Sequence, residues 1–348
     1  MKTSSERLWF SILLLAMIFY LFSCTPQARI PVAGSASGRD MLTLIPADSS
    51  AFLVLDWNRL MGLSLIQKTI EEQPDFNTYQ KKFENFELNP KKDVFFLAPV
   101  VAGQIKDLPK DLALLVNLKY QKDKLIPPDS GKGSSLLNYQ GIPYLPFVEI
   151  EGQPVICLAF LDQSNLAIGS EKAVKKIIDV YTKKIPNILE DKNSRPYLKD
   201  IDFKALNFGL FQFPQDWWAK EISKNPSLKP WENVTHISSF SDYRNGSYWL
   251  EIKIYARDKG QHQKIAEMLT GIKALGLGMA GQAPVLGEVL NSLEITSSDR
   301  YVKVSLSLKE ETLLKIKNTL KEKAGDFFPK QEKEKTNPAI GKPEKKIS

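Results

Sequence analysis

The stretch VTHISSFSDYRNGSYWLEIKIYAR, residues 234–257, decides the fold class of this chain. Two segments of alternating polar and apolar residues are separated here by Asn245-Gly246, and an Asn-Gly pair in that position is typical of a tight β-hairpin. In the second segment Leu250, Ile252 and Ile254 share one face of the predicted strand, because side chains alternate along a strand. The pattern therefore predicts an antiparallel hairpin with one buried face.

Outward from this hairpin, further strand and helix patterns alternate along the chain. The strands predicted besides the hairpin cover residues 51–57, 94–101, 112–118, 144–150, 155–161, 166–168, 206–213, 292–297 and 301–308. The helices predicted are 60–83, 170–184, a short one from Pro214 through Trp217 and Trp218, 260–275, a short one from Pro284, and 310–323. Strands grouped in hairpins indicate an α+β fold, with antiparallel sheets, helices packed on one face, and two similar halves.

The composition fits a globular protein with a real core, since 43% of the residues are hydrophobic and 25% are charged. We predict a signal peptide over residues 1–23, a lipidated flexible tether over 24–41, a first α+β half over 42–185 and a linker over 186–204. The second α+β half covers 205–324. A disordered basic tail over 325–348 follows, because that stretch is rich in Lys, Glu and Pro and poor in apolar residues.

The N-terminus has the pattern of an export signal. Lys2 and Arg7 precede a run of 15 nearly uninterrupted apolar residues from Leu8 to Phe22. A membrane-spanning helix needs roughly 20 such residues, so the run fits a removable signal better than a permanent anchor. An ordinary signal peptide, or a short uncleaved anchor, remains the alternative to the lipoprotein signal described next.

The run ends in Leu21-Phe22-Ser23-Cys24, which resembles the lipobox of bacterial lipoproteins. The resemblance implies that the Cys24 thiol is lipidated and that the signal is cut just before it. Phe22 departs from the family pattern, which usually has a smaller side chain there. Thr25 stands where lipoproteins retained in the inner membrane tend to have aspartate. The resemblance therefore implies a lipid anchor in the cell membrane or outer membrane, facing the periplasm or the exterior.

The body of the chain resembles a large group of uncharacterised bacterial extracytoplasmic proteins of duplicated α+β build. Three short features carry this resemblance: Leu44-Ile-Pro-Ala-Asp48 before a strand, the Ile168-Gly-Ser170 passage from strand to helix, and the closing hairpin and helix. The resemblance covers most of residues 42–324 and implies a fold without implying an activity.

The sequence offers no catalytic set, cofactor site or metal site. Its two histidines, His236 and His262, lack metal-ligand spacing, and we expect His262 to face solvent. Asp129-Ser-Gly-Lys-Gly-Ser134 lacks the hydroxyl that a P-loop needs after lysine. Gly276-Leu-Gly-Met-Ala-Gly281 matches a dinucleotide fingerprint but follows a helix, so we expect an apolar loop. Cys157 is expected in a buried strand without a disulfide partner.

Trp217, Trp218 and Trp231 form the aromatic group most suited to a ligand or interface contact, such as stacking on a sugar or resting at a membrane surface. Packing in and around the core is the plainer interpretation. Because Trp217 and Trp218 are adjacent on a short predicted helix, they cannot both face one core.

Three functional hypotheses follow. The first is a lipid-anchored, non-enzymatic binding or assembly module of the cell envelope, with the membrane and an envelope protein or lipid as partners and no nucleic acid. The second is a carrier or sensor of an apolar ligand such as a lipid, which requires a sizeable apolar cavity. The third is a cell-wall hydrolase, which requires a cleft with convergent carboxylates.

Overall fold

The computed structural model describes residues 30–72, 81, 83–107, 110–126, 136–148, 155–214, 217–282 and 284–327. Its strands are β1 (Ala51–Asp56), β2 (Val94–Val101), β3 (Leu112–Leu118), β4 (Leu137–Tyr139), β5 (Ile142–Val148), β6 (Ile156–Phe160), β7 (Asn165–Ser170), β8 (Asn207–Gln212), β9 (Val234–Arg244), β10 (Ser247–Ala256), β11 (Leu293–Ser297) and β12 (Val302–Lys309). They form one antiparallel sheet in the order β11-β12-β10-β9-β8-β1-β2-β3-β7-β6-β5-β4. The predicted α+β class is confirmed.

Helices precede, connect and follow these strands. They are α1 (Gly38–Met41), α2 (Trp57–Met61), α3 (Ser64–Glu71), α4 (Pro90–Asp93), α5 (Lys122–Leu125), α6 (Glu171–Tyr181), α7 (Arg195–Leu198), α8 (Trp217–Lys224), α9 (Lys259–Met279), α10 (Pro284–Asn291) and α11 (Glu310–Phe327). The Ser170 hydroxyl caps α6 by accepting a hydrogen bond from the Ala173 amide at 3.3 Å, and Pro284 begins α10, as the sequence predicts.

The two halves of the chain have the same strand order. From the centre of the sheet outward, the second half runs β8-β9-β10-β12-β11 and the first half runs β1-β2-β3-β7-β6, after which the hairpin of β5 and β4 extends the edge of the first half alone. The two halves join where β1 pairs antiparallel with β8, so that Val54 lies opposite Phe208. The similar halves therefore share one continuous sheet.

The stretch predicted as a linker, residues 186–204, lies against the sheet rather than spanning a gap. Ile188, Leu198 and Ile201 belong to the main hydrophobic core, and Pro46 forms an isolated bridge with Asn187. The prolines and mixed charges that suggested a linker are compatible with irregular packed structure, because the three apolar side chains supply enough contact to hold it.

The hairpin that predicted the fold forms β9 and β10. Asn245 and Gly246 both have positive φ, 53° and 72°, as a two-residue turn of this type requires. Ile252 and Ile254 of β10 pack against Val302 and other residues of a second core. This core lies between the sheet and α9, which contributes Ile265.

The main core lies on the opposite face of the sheet. There α1 and α6 cover alternate residues of the central strands, such as Val54, Ala98 and Leu115. Leu55, Leu97 and Leu114 therefore point to the other face of the first half, because neighbouring residues of a strand alternate. The short helices α2 and α4 lie on this second face, where Trp57 and Pro90 share a pocket with Leu97 and Leu114, so the first half has helices on both faces.

Two predicted helices differ from the structure. The helix predicted for 60–83 begins earlier, at Trp57, and is broken at Gly62 and Leu63 into α2 and α3. The helix predicted for 260–275 continues to Met279, so the apolar loop expected at 276–281 is mostly helical. At Gly276, on the side of α9 that faces α10, a Cβ would lie 2.7 Å from Leu290 Cδ1. The absence of a side chain lets α9 and α10 approach closely.

The segment that enters the body is held in place from Ile30 onward. The Pro31 carbonyl accepts hydrogen bonds from the buried side chains of Asn165, at 2.6 Å, and Asn117, at 3.4 Å. Met41 and Leu42 are fully buried. Residues 30–41, which the sequence assigned to the flexible tether, therefore pack on the body.

Candidate functional site

An apolar pocket of about 480 Å³ lies on the face of the first half opposite α6. Its volume falls within the roughly 300–1,000 Å³ common for small-molecule sites. Strand side chains form its floor: Val94, Leu97, Leu114, Val116, Leu118, Leu158, Leu166 and Ile168. The roof consists of Trp57, Phe83, Phe86, Leu88, Pro90 and Leu125.

The floor arises from strands that are apolar on both faces. Along β3, Ala113 and Leu115 enter the main core while Leu114 and Val116 face the pocket. Such uninterrupted apolar strands are typical of sheets covered on both sides. The covering layer is less regular on the pocket side, because it is built from short helices and from residues 83–88.

The roof is fixed by few polar contacts. The Trp57 indole N–H donates a hydrogen bond to the Pro90 carbonyl at 2.7 Å, which joins α2 to α4 above the floor. Phe83 and Phe86 are partly exposed, so the pocket meets solvent beside them. Since the indole N–H is already paired and the other lining residues are apolar, the pocket suits hydrocarbon.

A shallower apolar groove of about 300 Å³ lies on the same face at the centre of the sheet. Leu53 of β1, Pro99 of β2, Leu112 of β3, Phe211 of β8 and Ile237 of β9 line it. Leu53 and Leu112 are both strongly exposed for leucine. The groove marks the part of this face that neither the pocket roof nor α9 covers.

The three tryptophans predicted as a contact site differ in exposure. Trp218 is buried and donates a hydrogen bond to the Val234 carbonyl at 3.0 Å, and Trp231 is half-buried beside it. Trp217 is 38% exposed. Its ring lies 5.2 Å from that of Phe213, which in turn lies 4.5 Å from Phe211 in the groove. An exposed aromatic surface therefore borders the groove.

Both histidines are buried. His262 is buried, not solvent-facing as expected, because its Nε2 accepts a hydrogen bond from the Ala256 amide at 3.1 Å and so joins α9 to the end of β10. His236 stacks on Tyr197 with ring centres 3.7 Å apart, and burial lowers its pKa to about 4. Among the described residues, no group of three His, Cys, Asp or Glu is placed to hold a metal ion.

Because His236 is buried in its neutral form, we predict that the free energy of unfolding depends on pH. Below its ordinary pKa of 6.5 the unfolded chain takes up a proton that the folded chain excludes, so folding stability is lost as the pH falls from 6.5 to about 4. We expect the free energy of unfolding of the wild type to fall by about 3 kcal/mol more than that of His236→Phe over this window. Urea titrations across the window measure it, and parallel curves for the two proteins would contradict it.

Cys157 is a core residue on β6, and burial raises the pKa of its thiol to about 11. A protonated, buried thiol is a poor nucleophile. Cys24, with the predicted signal and lipobox, lies outside the described residues, as does the stretch 129–134. None of the described helices is long and apolar enough to cross a membrane.

Comparisons with known proteins give no family for this chain. No family model and no curated protein matches it. Among solved structures, crystal form III of TP0453, a Treponema outer-membrane-associated lipoprotein, has a TM-score of 0.44 at 12% identity and covers 80% of this chain and 98% of that one. Crystal form I of TP0453 has a TM-score of 0.43 at 13% identity, covering 80% and 96%. Similarity at this level identifies no activity or partner.

The sequence did not single out the pocket residues. Their signal was present in VFFLAPVV (94–101) and LALLVNL (112–118), where apolar residues occupy both faces of a strand. Periodicity along a strand does not show whether the layer that covers it leaves a cavity. The roof residues, at positions 57, 83–90 and 125, are far from the floor strands and from one another in the sequence.

Proposed function

We propose that this protein is a lipid-anchored protein of the cell envelope that binds the hydrocarbon part of a lipid in the apolar pocket and catalyses no reaction. The observation that carries the proposal is the pocket itself, which has a volume of about 480 Å³ and, among the residues that the structure describes, a lining of apolar side chains alone. Such a lining offers no hydrogen-bond partner to a polar group of a ligand, and a buried polar group without a partner costs about 1–3 kcal/mol. The cavity therefore favours a ligand whose buried part is hydrocarbon.

The position of the N-terminal segment supports a membrane lipid as the ligand. Asn117 and Asn165 hold Pro31, and the residues that follow them, Leu118 and Leu166, line the pocket. From Cys24 to Ile30 the chain reaches at most about 20 Å, at roughly 3.5 Å per residue. A lipid on Cys24 would therefore keep this end of the pocket close to the bilayer surface.

The charged groups favour binding over hydrolysis. The most buried carboxylate of the hairpin region, Asp242, is paired with Arg59 and Arg244, and none of the three borders the pocket. Glu171 and Glu288 have lowered pKa values because each accepts a hydrogen bond from a lysine. A general acid in a glycosidase needs the opposite, a raised pKa. Burial raises the pKa of Asp56, but this carboxylate accepts a hydrogen bond from the Arg59 amide at 2.9 Å at the start of α2 and does not line the pocket.

The assembly-module alternative rests on a specific surface. Ile272, Leu275 and Met279 are strongly exposed and lie at spacings of three and four along α9, so they form one apolar stripe. Such a stripe suits a protein partner as well as any lipid surface. The pocket is the better-defined of the two features, because it is concave and partly enclosed.

The test is displacement of an apolar fluorescent probe, N-phenyl-1-naphthylamine, from the mature chain 24–348 carrying Cys24→Ser, which needs no detergent. We expect saturable binding that is competed by fatty acids. Leu158 and Ile168 are paired neighbours on the pocket floor, so L158W/I168W places two large rings in the cavity and should weaken binding at least tenfold.

The matched control is L136W/L137W, which adds the same two rings at exposed leucines outside the pocket. It should bind like the parent chain. Absence of saturable binding, or equal affinities for the two double variants, would overturn the proposal.

A further inference from the structure

The pocket and the groove lie end to end on one face of the sheet. On β3, Leu114 lines the pocket and Leu112 lines the groove; on β2, Leu97 lines the pocket and Pro99 lines the groove. Residues two apart on a strand point to the same side and are separated by roughly 7 Å. The end of one cavity is therefore the beginning of the other.

The combined length is that of a long acyl chain. From Leu118 to Leu112 the strand advances about 20 Å, at roughly 3.3 Å per residue. An extended chain of roughly 16 carbons spans about 19 Å, because each C–C bond of about 1.5 Å advances a zigzag chain by only about 1.27 Å. The pocket alone, from Leu118 to Leu114, is about 13 Å long and accommodates roughly ten carbons by the same measure.

The groove has apolar side chains that the described part of the chain leaves exposed. Leu53 on β1 is 38% exposed and Leu112 on β3 is 45% exposed. These two strands flank β2 near the centre of the sheet, where side chains are usually covered. Among the described residues that line the groove, Ser239 is the one with a polar side chain. A hydrocarbon tail emerging from the pocket would cover these side chains.

We propose that the ligand is a single long acyl chain of a membrane lipid, laid along β3 with its first ten or so carbons in the pocket and its terminal carbons in the groove. This inference rests on the proposed function and adds a chain-length preference to it. The polar end lies beside Leu118, where the N-terminal segment leaves toward Cys24, because that is the end nearest the bilayer.

Competition with saturated fatty acids of 10 to 18 carbons tests the inference, below their micelle concentrations, on the mature chain carrying Cys24→Ser. That chain lacks an anchor lipid, so any bound acyl chain is an added one. Each buried methylene strengthens binding by up to about fourfold. We expect affinity to rise at least tenfold from 10 to 16 carbons and then to level off.

Leu112→Gln tests the groove without touching the pocket. It should weaken binding of the 16-carbon acid at least tenfold and that of the 10-carbon acid less than twofold. Leu136→Gln is the control, because Leu136 is also 45% exposed but lines neither cavity. Thermal unfolding checks that both variants fold.

The outcomes separate this inference from the proposed function. Affinity that levels off at 10 to 12 carbons, or Leu112→Gln weakening both acids equally, would overturn the extended chain and leave pocket binding intact. Failure to bind an acid of any length would overturn the proposed function itself.

Discussion

Cys24→Ser should release the protein from the membrane. The diacylglyceryl group that the lipobox resemblance implies on Cys24 would contribute two acyl chains, and two chains anchor a protein stably while one holds it weakly. We expect the wild type in the membrane fraction, with a mature mass that begins at residue 24 and includes acyl chains. The variant should be soluble and unacylated, as fractionation and intact mass together measure.

Cys157→Ser is the control, because it removes the other cysteine of the chain, which is buried in the main core. That variant should remain in the membrane fraction. A Cys24→Ser protein that stays membrane-bound would argue for an uncleaved anchor. A wild-type mature form that begins at a residue other than 24 would argue for an ordinary signal peptide.

Phe208→Ala should lower the free energy of unfolding by about 3–5 kcal/mol, the usual cost of deleting a buried aromatic ring. Phe208 is 1% exposed, lies opposite Val54 where the two halves join, and packs edge-on against Phe203 at 5.2 Å. Because its ring belongs to the core that residues of both halves share at this junction, its loss weakens the whole sheet. Urea-induced unfolding followed by circular dichroism measures the change.

We expect a single transition in both proteins, because the halves share one core across the β1–β8 junction. Phe86→Ala is the control: this ring is partly exposed in the pocket roof, so the variant should lose less than about 1 kcal/mol. Two separated transitions, with only one affected by Phe208→Ala, would mean that the halves fold independently.

Local patterns predicted the individual elements well where they had a clear period or terminus. Strands β2 and β3 have the predicted bounds, Ser170 caps α6, and Asn245-Gly246 forms the hairpin turn. These features depend on residues within a few positions of one another, so the sequence alone contains the necessary information.

Long-range features were beyond such patterns. The pairing of β1 with β8 joins residues roughly 150 positions apart, and Ile188, Leu198 and Ile201 enter a core built from strands distant in the chain. His262 was placed in solvent because its helical neighbours are polar, whereas its partner is the Ala256 amide on β10. The pocket depends on roof and floor segments that meet only in three dimensions.

Binding of a lipid in the apolar pocket is the central claim about this protein. The most direct measurement is the native mass spectrum of the mature protein extracted from its own membranes, beside its denatured mass. The denatured mass gives any covalent anchor, so an added native mass identifies a lipid held without a bond. We predict such a lipid, with acyl chains of about 16 carbons, in the wild type and in L136W/L137W, and its loss in L158W/I168W. A wild type without a bound lipid, or one retained equally after the pocket is filled, would contradict the account.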